Sequence, residues 1–174
     1  MTRYVALLRG VNVGGVNMKM ADVASAFTTL DLNNVKTVLA SGNVLFDSPL
    51  PAAELKPRIE EALSERFGYQ AWVHVLDLDV IRRVIADFPF DAEKEGWHPY
   101  VIFTLDPLLA AELLSLQPTL DPVVESIRGG DGVIYWTVER GNTLGSAFSK
   151  ETARSKHKAT TTTRNLRTLQ KLVT

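Results

Sequence analysis

The feature that most constrains this chain is an order of elements that occurs twice. Along the first 77 positions the apolar residues switch between the two-residue period of a strand and the 3.6-residue period of a helix. Residues 3–9 (Arg-Tyr-Val-Ala-Leu-Leu-Arg) form an apolar run stopped by Gly10, which predicts a buried strand. Met20, Val23, Phe27 and Leu30 recur at helical spacing. Residues 34–41 and 44–47 are β-rich runs divided by Gly42-Asn43, a hairpin signal. Leu55, Ile59, Leu63 and Phe67 mark a second helix. Pro57 belongs in a first turn, which argues against a start as early as Ala52. Residues 70–76 make a fourth strand. The order is β-α-β-β-α-β, the split βαβ pattern of ferredoxin-like folds.

A linking helix follows, with Asp79 as its expected cap and Val80, Ile81, Val84, Ile85 and Phe88 on its apolar face, ended by Pro89. The order then returns. Residues 100–105 predict a strand, and Leu109, Leu113 and Leu116 a helix. A hairpin joins residues 123–128 and 133–139 across Gly129-Gly130-Asp131-Gly132, and Leu166, Leu169 and Leu172 mark a final helix. The second half therefore reads β-α-β-β-α, without the last strand of the first. The expected fold class is α+β: two ferredoxin-like-related β-α-β-β-α lobes, a pseudo-duplicate, with mostly antiparallel sheets. The expected organisation is a lobe at 1–77, a linking helix and loop at 78–99, and a second lobe with a basic tail at 100–174. Between residues 139 and 163 no apolar periodicity is evident. That stretch reads as solvated surface, with a short helix near residues 145–154.

Composition limits the chemistry. The 174 residues include no cysteine, which removes thiol catalysis, Cys-ligated zinc and iron–sulfur clusters. No apolar run approaches the ~20 residues of a membrane span, and the first residues do not read as a secretory signal. The expectation is a cytoplasmic protein without a membrane partner and with no cofactor. The net charge of −1 conceals an asymmetry. Residues 1–139 carry 11 Lys/Arg against 19 Asp/Glu (−8), and residues 140–174 carry 8 against Glu151 alone (+7). A basic tail on an acidic body either contacts an external polyanion or folds back onto that body.

Two places could hold an anion. The first is the loop Arg9-Gly10-Val11-Asn12-Val13-Gly14-Gly15-Val16-Asn17, between a strand and a helix. Gly10, Gly14 and Gly15 would let backbone N–H groups converge beside a helix N-terminus. The Walker Lys-Ser/Thr is missing after Gly15, and no G-x-G-x-x-G occurs. In a split βαβ, strands one and two run parallel, so this loop and the first hairpin tip share one sheet edge. Arg9, Asn12, Lys19, Ser41 and Asn43 would cluster there. The structural alternative is that the glycines and Asn43 only shape tight turns.

The second place is the tail. Lys156, Lys158, Thr163, Arg164, Asn165 and Arg167 precede or open the last helix, where the threonines read as an N-cap. Arg164, Arg167 and Lys171 would fall on one helical face, opposite Leu166, Leu169 and Val173. A basic stripe at a helix start suits phosphate. A solvated charged face has the same pattern.

Catalytic constellations are poor. His74 alternates with Trp72 and Leu76 in a strand, and His98 has no neighbouring His, so metal spacing is missing. Ser155-x-x-Lys158 with Ser41-Gly42-Asn43 imitates two β-lactamase motifs, but Lys-Thr-Gly is absent and the order is reversed. Asp87, Asp91, Glu93 and Glu95 read as a solvated loop. No catalytic residue or metal ligand is assigned.

Leu8-Arg9-Gly10-Val11-Asn12-Val13-Gly14-Gly15, then Ser41-Gly42-Asn43-Val44-x-Phe46, then Thr163-Arg164-Asn165, together resemble the bacterial family named for domain of unknown function 1697. The resemblance covers nearly the whole chain. Family members usually carry Ile at the place of Val11 and often Trp at that of Leu166. The resemblance implies an α+β fold of duplicated ferredoxin-like units and brings no activity, cofactor or catalytic residue. Three readings follow: a binding module for a phosphate-bearing ligand, nucleotide or nucleic acid; an enzyme acting on a small phosphorylated substrate; or a protein–protein module whose tail is structural. The tail has Phe148 as its sole aromatic, which counts against a single-strand stacking groove.

Overall fold

The computed structural model describes residues 1–9, 17–39 and 42–174, with the backbone alone at Ser155. The chain divides into two compact units, Met1–Ile81 with Lys171–Thr174, and Arg82–Gln170.

Unit 1 is built on β1 (Thr2–Arg9), β2 (Asn33–Val38), β3 (Asn43–Ser48) and β4 (Trp72–Asp77), in the order β2-β3-β1-β4. The β1–β3, β1–β4 and β2–β3 pairings are antiparallel, so β1 and β2 run parallel with β3 between them. This is the split βαβ order that the sequence predicts. Helices α1 (Met20–Thr28) and α2 (Ala52–Phe67) cover one face, where Tyr4, Ala6, Leu8, Phe27, Phe46 and Ile59 form a core with their neighbours.

Helix α2 does start at Ala52, with Pro57 inside it. Pro57 removes the hydrogen bond to the Ala53 carbonyl, but both residues are exposed, so water can satisfy that oxygen. The buried face of Leu55, Ile59 and Leu63 holds the helix in place. Its polar side ties down the edge strand: Glu60 Oε2 accepts from the Val73 amide at 3.0 Å, and Lys56 Nζ donates to the Val73 carbonyl at 3.1 Å. Both backbone groups of Val73 are thereby withheld from strand addition.

Helix α3 (Leu78–Ala86) follows β4. Its first turn is capped by Asp77, whose Oδ1 accepts from the Asp79 amide at 2.9 Å. The expected cap, Asp79, is instead a helical residue, because the Asx geometry falls on the aspartate that ends the strand.

Unit 2 repeats the arrangement. Strands β5 (Trp97–Thr104), β6 (Glu125–Gly129), β7 (Val133–Glu139) and β8 (Thr161–Asn165) are ordered β6-β7-β5-β8, all pairings antiparallel. Helix α4 (Pro107–Leu114) is capped by Asp106, which accepts from the Leu108 amide. Helices α5 (Ala147–Thr152) and α6 (Leu166–Leu172) complete the set. Ile102, Leu113, Ile127, Ile134, Trp136 and Phe148 lie in its core. The fold class is the expected α+β, two lobes with antiparallel sheets.

Two expectations for the region after Glu139 are corrected. Residues 139–163 are not solvated throughout: Phe148, Ser149, His157, Thr161 and Thr162 are buried. The second half also has its last strand, because the threonines expected to cap a helix form β8 against β5. Threonine suits a pleated, half-buried surface, and four consecutive threonines show no two-residue polarity alternation for sequence reading to find. The cap of α6 is Asn165, whose Oδ1 accepts from the Arg167 amide at 2.9 Å.

Candidate functional site

The C-terminal edge of β1 collects the first group of expected residues. Leu7 pairs with Asn43, the Leu8 amide donates to the Gly42 carbonyl at 2.8 Å, and Arg9 pairs with Trp72 of β4. Helix α1 leads into β2, which runs parallel to β1, so α1 starts at this same edge with exposed Lys19 as its N-cap residue. Met18, beside it, is buried in the core. The structure thus brings Arg9, Lys19 and Asn43 to one edge of the sheet. Gly10, Asn12, Gly14, Gly15 and Ser41 lie outside the described residues.

These three side chains have different surroundings. Asn43 is fully buried, and its Nδ2 donates to the Val38 carbonyl at 2.9 Å, across the hairpin turn. That turn is tight: Gly42 has φ +86° and Leu39 φ +63°, the left-handed region that a leucine rarely occupies. Asn43 is therefore engaged in shaping the hairpin. Lys19 is exposed. Arg9 is partly buried, its Nε is enclosed without a hydrogen-bond acceptor, and burial pulls its pKa down from the ordinary value. Among the described residues no carboxylate pairs with it. An arginine remains protonated at neutral pH, so this is an uncompensated cation with an unused donor.

Unit 2 supplies an internal comparison. There the Thr104 amide donates to the Gly132 carbonyl at 3.0 Å, as the Leu8 amide does to Gly42. The registers then set Leu105 at the place of Arg9. The Leu105 amide bonds the Thr160 carbonyl at 2.9 Å, which sets Thr160 at the place of Trp72. Leu105 and Thr160 carry no charge. The connection from β5 to α4 is residues 105–106, two residues, whereas that from β1 to α1 is residues 10–19, ten residues. The corresponding end of unit 2 holds a cavity of about 420 Å³ lined by Thr104, Pro107, Ala111, Gly130 and Asp131.

The tail does not form the expected stripe. Arg164 lies in β8, not on α6, and is buried; its Nη1 donates to Thr162 Oγ1 at 2.7 Å and to the Thr163 carbonyl at 2.9 Å. Asn165 is occupied in capping α6, and Thr163 sits in the ladder opposite Ile102. Lys156 pairs with Glu112 at 3.6 Å, and Arg154 with Glu151 at 3.3 Å. Lys158 and Arg167 are exposed and, among the described residues, make no ion pair. The body carboxylates Asp22, Glu60 and Asp131 pair with Arg66, Lys56 and Arg83, none of them in the tail.

Two buried titratable groups, Glu125 and His157, escaped the sequence reading. Glu125 accepts from Trp136 Nε1 at 3.0 Å and from the Phe148 amide at 3.3 Å. His157 is buried, with Nε2 3.6 Å from Glu151 Oε1. Neither had a signal: Glu125 opens a strand beside Pro122, and His157 lies in the stretch without periodicity. His74, in the strand that the sequence predicts, is buried opposite Leu7. Among the described residues no group of three or more His, Asp or Glu side chains could hold a metal ion. No helix of the described residues is long and apolar enough to cross a membrane.

The family described as "Protein of unknown function (DUF1697)" matches residues 1–135, which include the Arg9 loop and the first hairpin and stop short of Thr163-Arg164-Asn165. No curated protein matches the chain. Among solved structures, the conserved bacterial protein SP0830 from Streptococcus pneumoniae is similar at a TM-score of 0.80 and 24% identity, over 98% of this chain and 96% of that one. At that identity the likeness concerns the fold.

Proposed function

The chain belongs to the DUF1697 family of proteins of unknown function, and from that premise we propose that its first unit binds a small phosphate-bearing ligand at the β1 edge, with Arg9 as the principal anion ligand. The observation that carries this reading is the enclosed, unpartnered Nε of Arg9, on a half-buried cation at the start of the Gly/Asn-rich loop. A buried charge is costly unless something pairs with it, and a phosphate oxygen is the acceptor an arginine fork fits best. Lys19, the N-cap residue of α1 at the same edge, would add a second cation. The contrast with unit 2, where a two-residue turn and Leu105 stand at the same place, supports a role for the loop beyond connecting two elements. The tail favours this reading over nucleic acid, since Arg164 is buried and Lys156 is paired within its own unit.

The test is calorimetric titration with inorganic phosphate and pyrophosphate. Saturable binding that is lost in Arg9→Ala, with an unchanged circular dichroism spectrum, is the expected result. A wild-type protein that binds neither these nor any nucleotide overturns it.

A further inference from the structure

We propose that Trp72 is a specificity-determining residue of the Arg9 site and that the ligand is a nucleotide, its phosphate held by Arg9 and its base stacked on the indole. This inference rests on the phosphate reading above and narrows it to one ligand class.

Arg9 and Trp72 are direct partners in the antiparallel β1–β4 ladder, so their side chains leave the sheet on the same face. Opposed Cβ atoms in such a ladder stand about 4.5–5.5 Å apart, close enough for one small molecule to touch both. Trp72 is only partly buried, and β4 is an edge strand of its sheet. Among the described residues the indole takes part in no ring stack, no cation contact and no side-chain hydrogen bond. The protein's other tryptophans differ. Trp136 is stacked on Tyr100 in a core, and Trp97 lies under Lys94.

Both members of the pair are absent from the equivalent place in unit 2, where the registers set Leu105 and Thr160. The same backbone frame therefore carries an apolar–hydroxyl pair in one unit and a cation–aromatic pair in the other. Strand pairing does not require an arginine and a tryptophan here. A nucleoside monophosphate offers the two complementary groups, an anion and a planar π-face, joined through one ribose. Arginine answers the first and tryptophan the second.

The experiment compares ribose 5-phosphate with adenosine, guanosine, cytidine and uridine monophosphates, by calorimetry and by indole fluorescence. The proteins are wild type, Trp72→Ala, Trp72→Phe and Arg9→Ala. Stacking of one base on an aromatic ring contributes roughly ten- to a hundred-fold in affinity. At least one nucleotide is expected to bind the wild type tighter than ribose 5-phosphate by about that factor. Trp72→Ala should erase the preference, and Trp72→Phe should keep most of it. If the wild type binds ribose 5-phosphate and every nucleotide alike, the role of Trp72 is overturned while the phosphate reading stands. A preference that survives in Trp72→Ala overturns it too. If nothing in the panel binds, and pyrophosphate fails as well, both fall. The wild-type comparison decides the matter even if Trp72→Ala does not fold.

Discussion

The carboxylate of Glu125 accepts the indole N–H of Trp136 at 3.0 Å, and with its other oxygen the amide of Phe148 at 3.3 Å. One buried acid thus joins β6, β7 and the start of α5. Phe148 is the second residue of α5, so the negative charge also meets the positive end of that helix. Glu125→Gln turns one acceptor into a donor facing an N–H. The expected cost is about 1–3 kcal/mol, read from urea denaturation. A variant as stable as wild type would show that the carboxylate does not hold these elements together.

The unliganded protein should tolerate the loss of Arg9. Removing a partly buried cation that has no partner among the described residues relieves a desolvation cost, and the Arg9→Met side chain can cover much of the same apolar surface. Stability in the absence of ligand is expected to be unchanged or higher, measured by thermal melting in a buffer without phosphate. A clear fall would mean that the guanidinium is already satisfied within the fold.

Tyr135 should make stability sensitive to alkali. Its phenol is buried and donates to the Val84 carbonyl at 2.9 Å. Burial raises its pKa, Asp87 raises it further, and Arg83 opposes them. A proton held more tightly in the folded state stabilises fully below the unfolded value of about 10, and that stability is lost as pH rises through the folded value. Tyr69, also raised by burial, acts in the same direction. Tyr135→Phe should cost about 1 kcal/mol at neutral pH and make the decline above pH ~10 shallower, in denaturation repeated across that range. An unaltered alkaline slope would remove Tyr135 from the account.

The tail's cations should separate by stability. Arg164→Ala removes a buried side chain tied to Thr162 and Thr163 and should destabilise by about 1–3 kcal/mol. Arg167→Ala, on the exposed side of α6, should stay within about 0.5 kcal/mol of wild type. Equal effects in thermal melts would contradict the placement of Arg164 in β8.

Much of the fold was legible because the relevant forces are local. The helical spacing of Leu55, Ile59 and Leu63 predicts α2, and Gly42-Asn43 predicts the first hairpin, although β2 already ends at Val38 and Asn43 stands inside β3, paired with Val38. Strand β8 was not legible, because Thr161, Thr162 and Thr163 become a strand only when β5 offers its edge. The site was legible in part. Strand order alone placed Arg9 and Asn43 on one edge, but spacing could not tell that Asn43 is consumed by the Val38 carbonyl while Arg9 is left without an acceptor. Pairing of Arg9 with Trp72 depends on the β1–β4 register, which joins residues 63 positions apart.

By itself, then, the sequence determined the elements of the first lobe, those of the second up to β7 and the two-lobe α+β class, since each follows from periodicity and turn chemistry within a few residues. It also determined the charge asymmetry between body and tail. The tertiary structure decided which of those charges are exposed. Arg164 is buried and Arg167 is not, although they stand three residues apart, because the chain changes from strand to helix between them. Burial and register depend on partners distant in sequence, and the pairing of strands is what selects those partners.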